Sequence, residues 1–244
     1  MNPSLLGATV EIGEHIQRKL FGLTFNIDDL ISVGAAMLVV VALGLYLRAK
    51  ATAEVPGRLQ LAFETIVSAV DRQVSSSMGP SGAFAAPLAV TLFLFILVCN
   101  WFEIIPTTYP GHSEWLPSPT GDINLPLAMA ITVFIVVIFT WIRLHGVGGY
   151  FKHFTQPYPV MTPINVIEEI VKPATLTLRL FGNLFASSIL LALIALLPAK
   201  WLLPIPVLDV IWKLFAGLFV APVQAFIFSL LTLIYLESAV KGGH

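Results

Sequence analysis

From Leu30 to Leu47 not one residue is charged. Several further apolar runs of this chain also exceed the roughly 18 residues that mark a transmembrane helix, and none alternates like a β-barrel strand. Such runs leave a chain few options, because backbone groups inside lipid are satisfied only within helices or closed barrels. Composition agrees. Only 11% of the 244 residues are charged and 57% are hydrophobic, against about 25% charged in a soluble domain. The expected class is an all-α integral membrane protein: five transmembrane helices, one interfacial amphipathic helix, and a long, strongly tilted hairpin at the end.

Taken in order, residues 1 to 29 are mixed and read as a solvated or interfacial segment. They lack the pattern of a signal peptide, so insertion is expected to use the first span, about 30–47. Pro56-Gly57 then opens a helix over 58–77 with Leu59, Ala62, Phe63, Ile66, Val67 and Val70 at helical spacing. Arg58, Gln60, Glu64, Asp71, Arg72 and Gln73 spread over the rest, which suits a helix lying on the membrane surface. The second span covers 83–105. After a Pro-rich loop, Ser118 to Asn124 offers a cap for the third, 123–144. A polar linker from Gly146 to Pro163 follows.

The helices over 162–197 and 203–240 are too long to stand upright. The first is about 36 residues, hence about 54 Å at 1.5 Å per residue, against a core of roughly 30 Å. Each is expected to tilt, bend or extend beyond the bilayer, with Pro173 and Pro222 as bending points. Lys and Arg placement sets the orientation. With the N-terminus outside, inner segments carry Arg48, Lys50, Arg58, Arg72, Arg143, Lys152 and Lys241, and outer ones only Arg18, Lys19 and Lys200. The positive-inside rule therefore favours a cytoplasmic C-terminus.

Arg179 stands inside an apolar run that continues to Leu197, at membrane depth, where it costs roughly 2.5 kcal/mol or more. At 100° per residue, Glu168, Lys172, Thr175, Arg179 and Asn183 share a stripe about 80° wide, with Glu169 and Ser187 beside it. Asp209, Lys213, Gly217 and Gln224 share one about 60° wide on the last helix. Two such stripes on a membrane hairpin suggest an aqueous or proton-conducting path, although polar residues also serve as hydrogen-bond glue between helices. Asp209 with Lys213, and Glu168 with Lys172, are spaced to pair on their own helices.

Other chemistry is poorly represented. The lone Cys99 supports no disulfide framework, and His145 and His153 offer too few ligands for a metal. No phosphate-binding Gly loop, Ser-His-Asp set or paired catalytic carboxylates are present. A net charge of −1 gives no case for nucleic acid. Neither enzymatic activity of its own nor a cofactor is expected.

The segment Leu178-Arg179-Leu180-Phe181-Gly182-Asn183 resembles the signature of subunit a of F-type ATP synthase. So do Pro163-Ile164-Asn165, Lys172-Pro173, Asn100 with Ile104-Ile105-Pro106, Asp122-Ile123-Asn124, and Gln224-Ala225-Phe226-Ile227-Phe228, in the family's order and over nearly the whole chain. The resemblance is to the bacterial form. It implies a stator wall in the plasma membrane, packed against a ring of c subunits and held by a b-type peripheral stalk. Protons enter one half-channel, load a carboxylate on the ring, ride round, and leave through the other. Arg179 matches the family's essential arginine and Gln224 its partner glutamine, with Asn183 between.

One departure from the family pattern matters. Many members carry an acidic or histidine pair outward of the arginine, and the matching positions here are Ser188 and Gly217. Asp209, Asn183, Ser187, Glu103 and Asp122 are the candidates for the outer half-channel in their place. Glu168 and Glu169 are the candidates for the inner one. The competing class is a stand-alone secondary transporter or ion channel, which would need its own substrate pocket near the midplane. Copurification of a c ring and a peripheral stalk discriminates the two.

Overall fold

A computed structural model describes residues 17–20, 23–52, 55–104, 118–155, 158–195 and 204–242. The first sixteen residues, most of the loop from Pro106 to Asp122, and the connection from Leu197 to Leu203 lie outside them. Helices dominate: α1 (Ile27–Lys50), α2 (Arg58–Met78), α3 (Ala85–Trp101), α4 (Asn124–Phe154), α5 (Thr162–Ala195), α6 (Pro204–Phe215) and α7 (Ala221–Lys241). Among the described residues, four helical stretches are long and apolar enough to cross a membrane: Ile27–Lys50, Ala85–Ile104, Asn124–Phe154 and Val210–Lys241. The chain is therefore a multi-pass helical membrane protein. Helix α5 reaches 34 residues but carries Glu168, Glu169, Lys172 and Arg179.

Helix α3 packs on α7 and on α1, while α4 packs on α5 and α7. Their shared core holds Ile96, Val133, Leu176, Leu180, Phe228 and Leu236, all nearly inaccessible. Small residues let the helices approach: Ala85, Ala89, Ala130 and Ala225 are fully buried, as expected where dispersion rather than a hydrophobic force holds membrane helices together. On α2 the half-buried Phe63, Ile66, Val67 and Val70 run into buried Val74 and Met78, so the apolar stripe faces the bundle.

The all-helical class holds, with some added detail. One short antiparallel pair of strands, β1 (Gln17–Leu20) and β2 (Leu23–Asn26), precedes α1 within the mixed N-terminal segment. Helical structure runs on past Leu144, the expected end of the third span. Helix α4 continues to Phe154 through a kink at Gly146 (φ 75°, ψ 165°), into what reads as a linker. The aromatic residues Trp141, Tyr150 and Phe154 pack successively across that kink and give the second limb its own apolar contacts. Among the described residues, α5 lies mainly along α4 and meets α6 and α7 more narrowly.

Gly146 occupies backbone space that is essentially closed to side-chain-bearing residues. Gly146→Ala should cost about 1–3 kcal/mol, read as a lower thermal midpoint for the purified protein; an unchanged midpoint would mean that the kink relaxes freely.

Candidate functional site

The arginine stripe on α5 faces out of the chain. Leu176, Thr177, Leu180, Leu184 and Ser187 form the buried face, whereas Glu168, Thr175 and Arg179 are exposed and Lys172 and Asn183 half-buried. Large apolar side chains flank the arginine outside, among them Leu178 at 59% exposure and Phe185 at 45%. Arg179 thus presents a permanent charge from an apolar outer surface.

A small cleft opens between α5, the end of α3 and the last helical segment, lined by Asn100, Glu103, Asn183, Ser187, Trp212 and Ala221 among others. Three of the predicted outer residues, Glu103, Asn183 and Ser187, meet there. The hydrogen bonds have a fixed direction. The Trp212 indole, which can only donate, gives its Nε1–H to Ser187 Oγ at 2.9 Å, and the Ser187 hydroxyl donates in turn to Glu103 Oε1. Behind it, buried Asn100 accepts from Thr120 Oγ1 at 2.7 Å, tying the end of α3 to the turn before α4.

Asp122 is elsewhere. Its carboxylate accepts from Asn26 Nδ2 at 3.0 Å, and from the backbone (3.1 Å) and side chain (2.9 and 3.0 Å) of Asn124, so it clamps the start of α1 to the start of α4. Asp209 belongs to α6, but its side chain lies outside the described residues.

At the other end of α5, Lys172 Nζ donates to Glu169 Oε2 at 2.7 Å and sits 5.9 Å from the centre of the Tyr235 ring. Lys172 therefore pairs with Glu169 rather than with the Glu168 that ideal spacing suggested. Glu169 is only 8% exposed, while Glu168 faces outward. Asn165 Nδ2 donates to the Phe154 carbonyl at 2.9 Å, binding the end of α4 to the beginning of α5.

Gln224 is 7% exposed and its Nε2 has no hydrogen-bond partner among the described residues. A buried amide in that state needs water or a partner group. The stripe drawn through Asp209, Lys213, Gly217 and Gln224 does not survive intact, because a π-helical turn at Ala216–Val220 interrupts the helix. The extra residue of a π turn shifts every later side chain round the axis.

Sequence reading missed Trp101 and Trp212. Both indole N–H groups are used, Trp101 Nε1 donating to the Gly217 carbonyl at 3.0 Å. The available signal was a tryptophan at a helix end, where an apolar ring still needs a partner for its N–H.

Comparison with known sequences agrees in one direction. The model of the family described as ATP synthase A chain matches residues 30–237. ATP synthase subunit a of Acidothermus cellulolyticus is 46% identical over 244 residues, covering 99% of this chain and 88% of that protein. The subunit of the same name from Mycobacterium bovis is 44% identical over 248 residues, covering 99% and 98%. That from Mycobacterium leprae is 41% identical over 244 residues, covering 97% and 96%.

Burial alone would raise the pKa of Asp122, yet hydrogen bonds from Asn124 and Asn26 hold it below its usual 3.8. A depressed folded-state value contributes stability above pH 3.8 and loses it as pH falls through the folded value. The purified protein should therefore lose thermal stability on acidification below that point, by an increment that Asp122→Ala lacks. Identical acid profiles for the two proteins would show that the clamp carries no weight.

Proposed function

Since the chain belongs to the ATP synthase A chain family, we propose that it forms the stator wall past which the carboxylate-bearing c ring turns, with two offset half-channels separated by Arg179. It is a non-catalytic subunit of the synthase's membrane sector and acts in complex with the other subunits. The finer reading makes α5 a fifth span, lays α2 on the cytoplasmic surface and leaves the N-terminus outside. The peripheral stalk then holds the wall still while the ring moves.

The observation that carries this reading is the outward face of Arg179. A guanidinium cannot shed its proton in a protein, and facing lipid it is costly. It therefore calls for a partner from another chain, and a ring carboxylate supplies one. That carboxylate crosses lipid neutral, because its charge is expensive there. Facing Arg179 it prefers to be ionised, so each passing site gives up its proton. Because Arg179 never deprotonates, it cannot relay protons between the two half-channels. The transmembrane potential supplies about 2.3 kcal/mol per charge per 100 mV, so several steps are summed for each ATP.

The cleft of Glu103, Ser187 and Asn183 supports the outer half-channel, since Asn183 lies one turn from Arg179 on the same helix. Gln224 lies one turn beyond the cleft-lining Ala221, and water reaching that far would satisfy its amide. Asp209 would mark the mouth. Asp122, held in its clamp, is the weakest member of this set. The inner half-channel begins at Glu168 and Glu169, about 16 Å from Arg179 along the helix at 1.5 Å per residue. A stand-alone transporter gains no support, because the polar stripe that would line its pocket faces out of the chain.

Arg179→Ala should abolish proton-driven ATP synthesis in vesicles while the complex still assembles, because the change makes α5 more apolar. Arg179→Lys should also fail, since an ammonium lacks the planar fork and loses its proton when desolvated. Substantial synthesis by the assembled lysine variant would sink the assignment. Glu168→Ala and Glu169→Gln should each slow proton release to the inside. Unchanged flux in both and in the double variant would reduce them to a solvated helix end and a structural ion pair.

A further inference from the structure

The π turn in the last helix traces to one residue. Pro222 has no N–H and its ring collides with the carbonyl four residues earlier, so the α-helical register cannot pass through it unchanged. The Ala221 N–H bonds back five residues to the Ala216 carbonyl, as a π turn requires. The Gly217 carbonyl thereby loses its α-helical donor, Ala221, and its π-helical one would be Pro222, which has none. An unsatisfied buried carbonyl is costly. Trp101 Nε1 fills the vacancy at 3.0 Å.

Gly217 itself makes room for the 3-10 turn Phe102–Ile104 that continues α3. A Cβ there would stand 1.9 Å from Ile104 Cδ1 and 2.2 Å from its Cγ1. The Ile104 side chain therefore occupies the space that any larger residue at 217 would need. Trp101 and Ile104 bracket Glu103, whose carboxylate accepts from Ser187 in the cleft. Ser188, the other position where a titratable group is missing, is exposed and donates to the Leu184 carbonyl at 3.1 Å.

We propose that Trp101 is a positioning residue for Glu103: its bond to the carbonyl freed by Pro222, with Ile104 seated against Gly217, pins the last turn of α3 so that Glu103 serves as the outer carboxylate. This rests on the reading of the cleft as the outer half-channel. The absence of a titratable side chain at 217 and the presence of a carboxylate in the turn just after α3 are then linked, since one creates the notch into which the other's neighbour fits.

The test uses the assembled synthase in membrane vesicles, with proton-driven ATP synthesis measured against outside pH at fixed inside pH. Glu103→Gln is the control for the underlying reading. If it leaves rate and pH profile unchanged, the cleft is not on the proton path and the proposal falls with that reading. If it impairs synthesis, Trp101→Phe decides the positioning role. It keeps the ring and removes the donor, and should move the pH midpoint and lower the maximal rate several-fold, whereas Trp101→His, which keeps a ring N–H, should stay nearer wild type. A normal profile for Trp101→Phe overturns the proposal while the half-channel reading stands.

Should Trp101→Phe fail to assemble, Gly217→Ala carries the test. It must displace Ile104 with Trp101 intact, and the same altered profile is expected; an unaltered one overturns the proposal. Pro222→Ala separates positioning from mere carbonyl satisfaction. Where Pro222→Ala alone leaves the profile normal, so that any return of the α-helical register is harmless, its restored backbone donor would cure Trp101→Phe if Trp101 only satisfied the carbonyl. Positioning predicts that the double variant remains impaired, and a full cure overturns it.

Discussion

Arg179 carries a charge that cannot be neutralised, on the outer face of a helix whose surroundings are apolar. Every other feature of the site answers to that. A centred charge costs several kcal/mol unless something meets it, and the buried side of α5, where Leu176, Leu180 and Leu184 stand with Thr177 and Ser187, points away from it. Those leucines press α5 against the core and hold the opposite face outward. The same packing that stabilises the helix therefore aims the guanidinium at whatever lies beyond the chain. In this account a partner carboxylate meets it, and the meeting is the step that couples proton flow to rotation.

Polar groups are placed on either side of that point by different means. On the cleft side, the donor-only indole of Trp212 turns Ser187 toward Glu103. On the other side, Lys172 closes on Glu169 within the helix and leaves Glu168 facing outward. Neither arrangement needs a titratable residue at Ser188 or Gly217. Pro222 breaks the helical register, Gly217 leaves a gap, and the end of α3 fills both the missing hydrogen bond and the missing volume.

Much of this was legible in the sequence. Long uncharged runs declared the membrane helices because their composition leaves no other solution, and the amphipathic stripe of α2 was read from Phe63 to Val70, while Leu59 and Ala62 of that stripe are exposed. The outward face of Arg179 was not, since a helical wheel gives a stripe's width but not which neighbour it meets. Ideal periodicity also failed at Ala216–Val220, where a π turn rotates everything after it, and at Gly146, where one glycine lets α4 bend and continue. The strand pair before α1 escaped notice because its short segments show no sustained alternation. Trp101 and Trp212 were invisible as functional residues until their donors had acceptors.

The central claim is that Arg179 divides two aqueous paths on one helix. Cysteines placed singly along α5 in a Cys99→Ser background, and treated with an impermeant thiol reagent in oriented vesicles, test it directly. Asn183→Cys and Ser187→Cys should react only from the outer side, and Glu168→Cys and Lys172→Cys only from the inner side. Positions on both sides of Arg179 reacting from the same compartment would contradict the account.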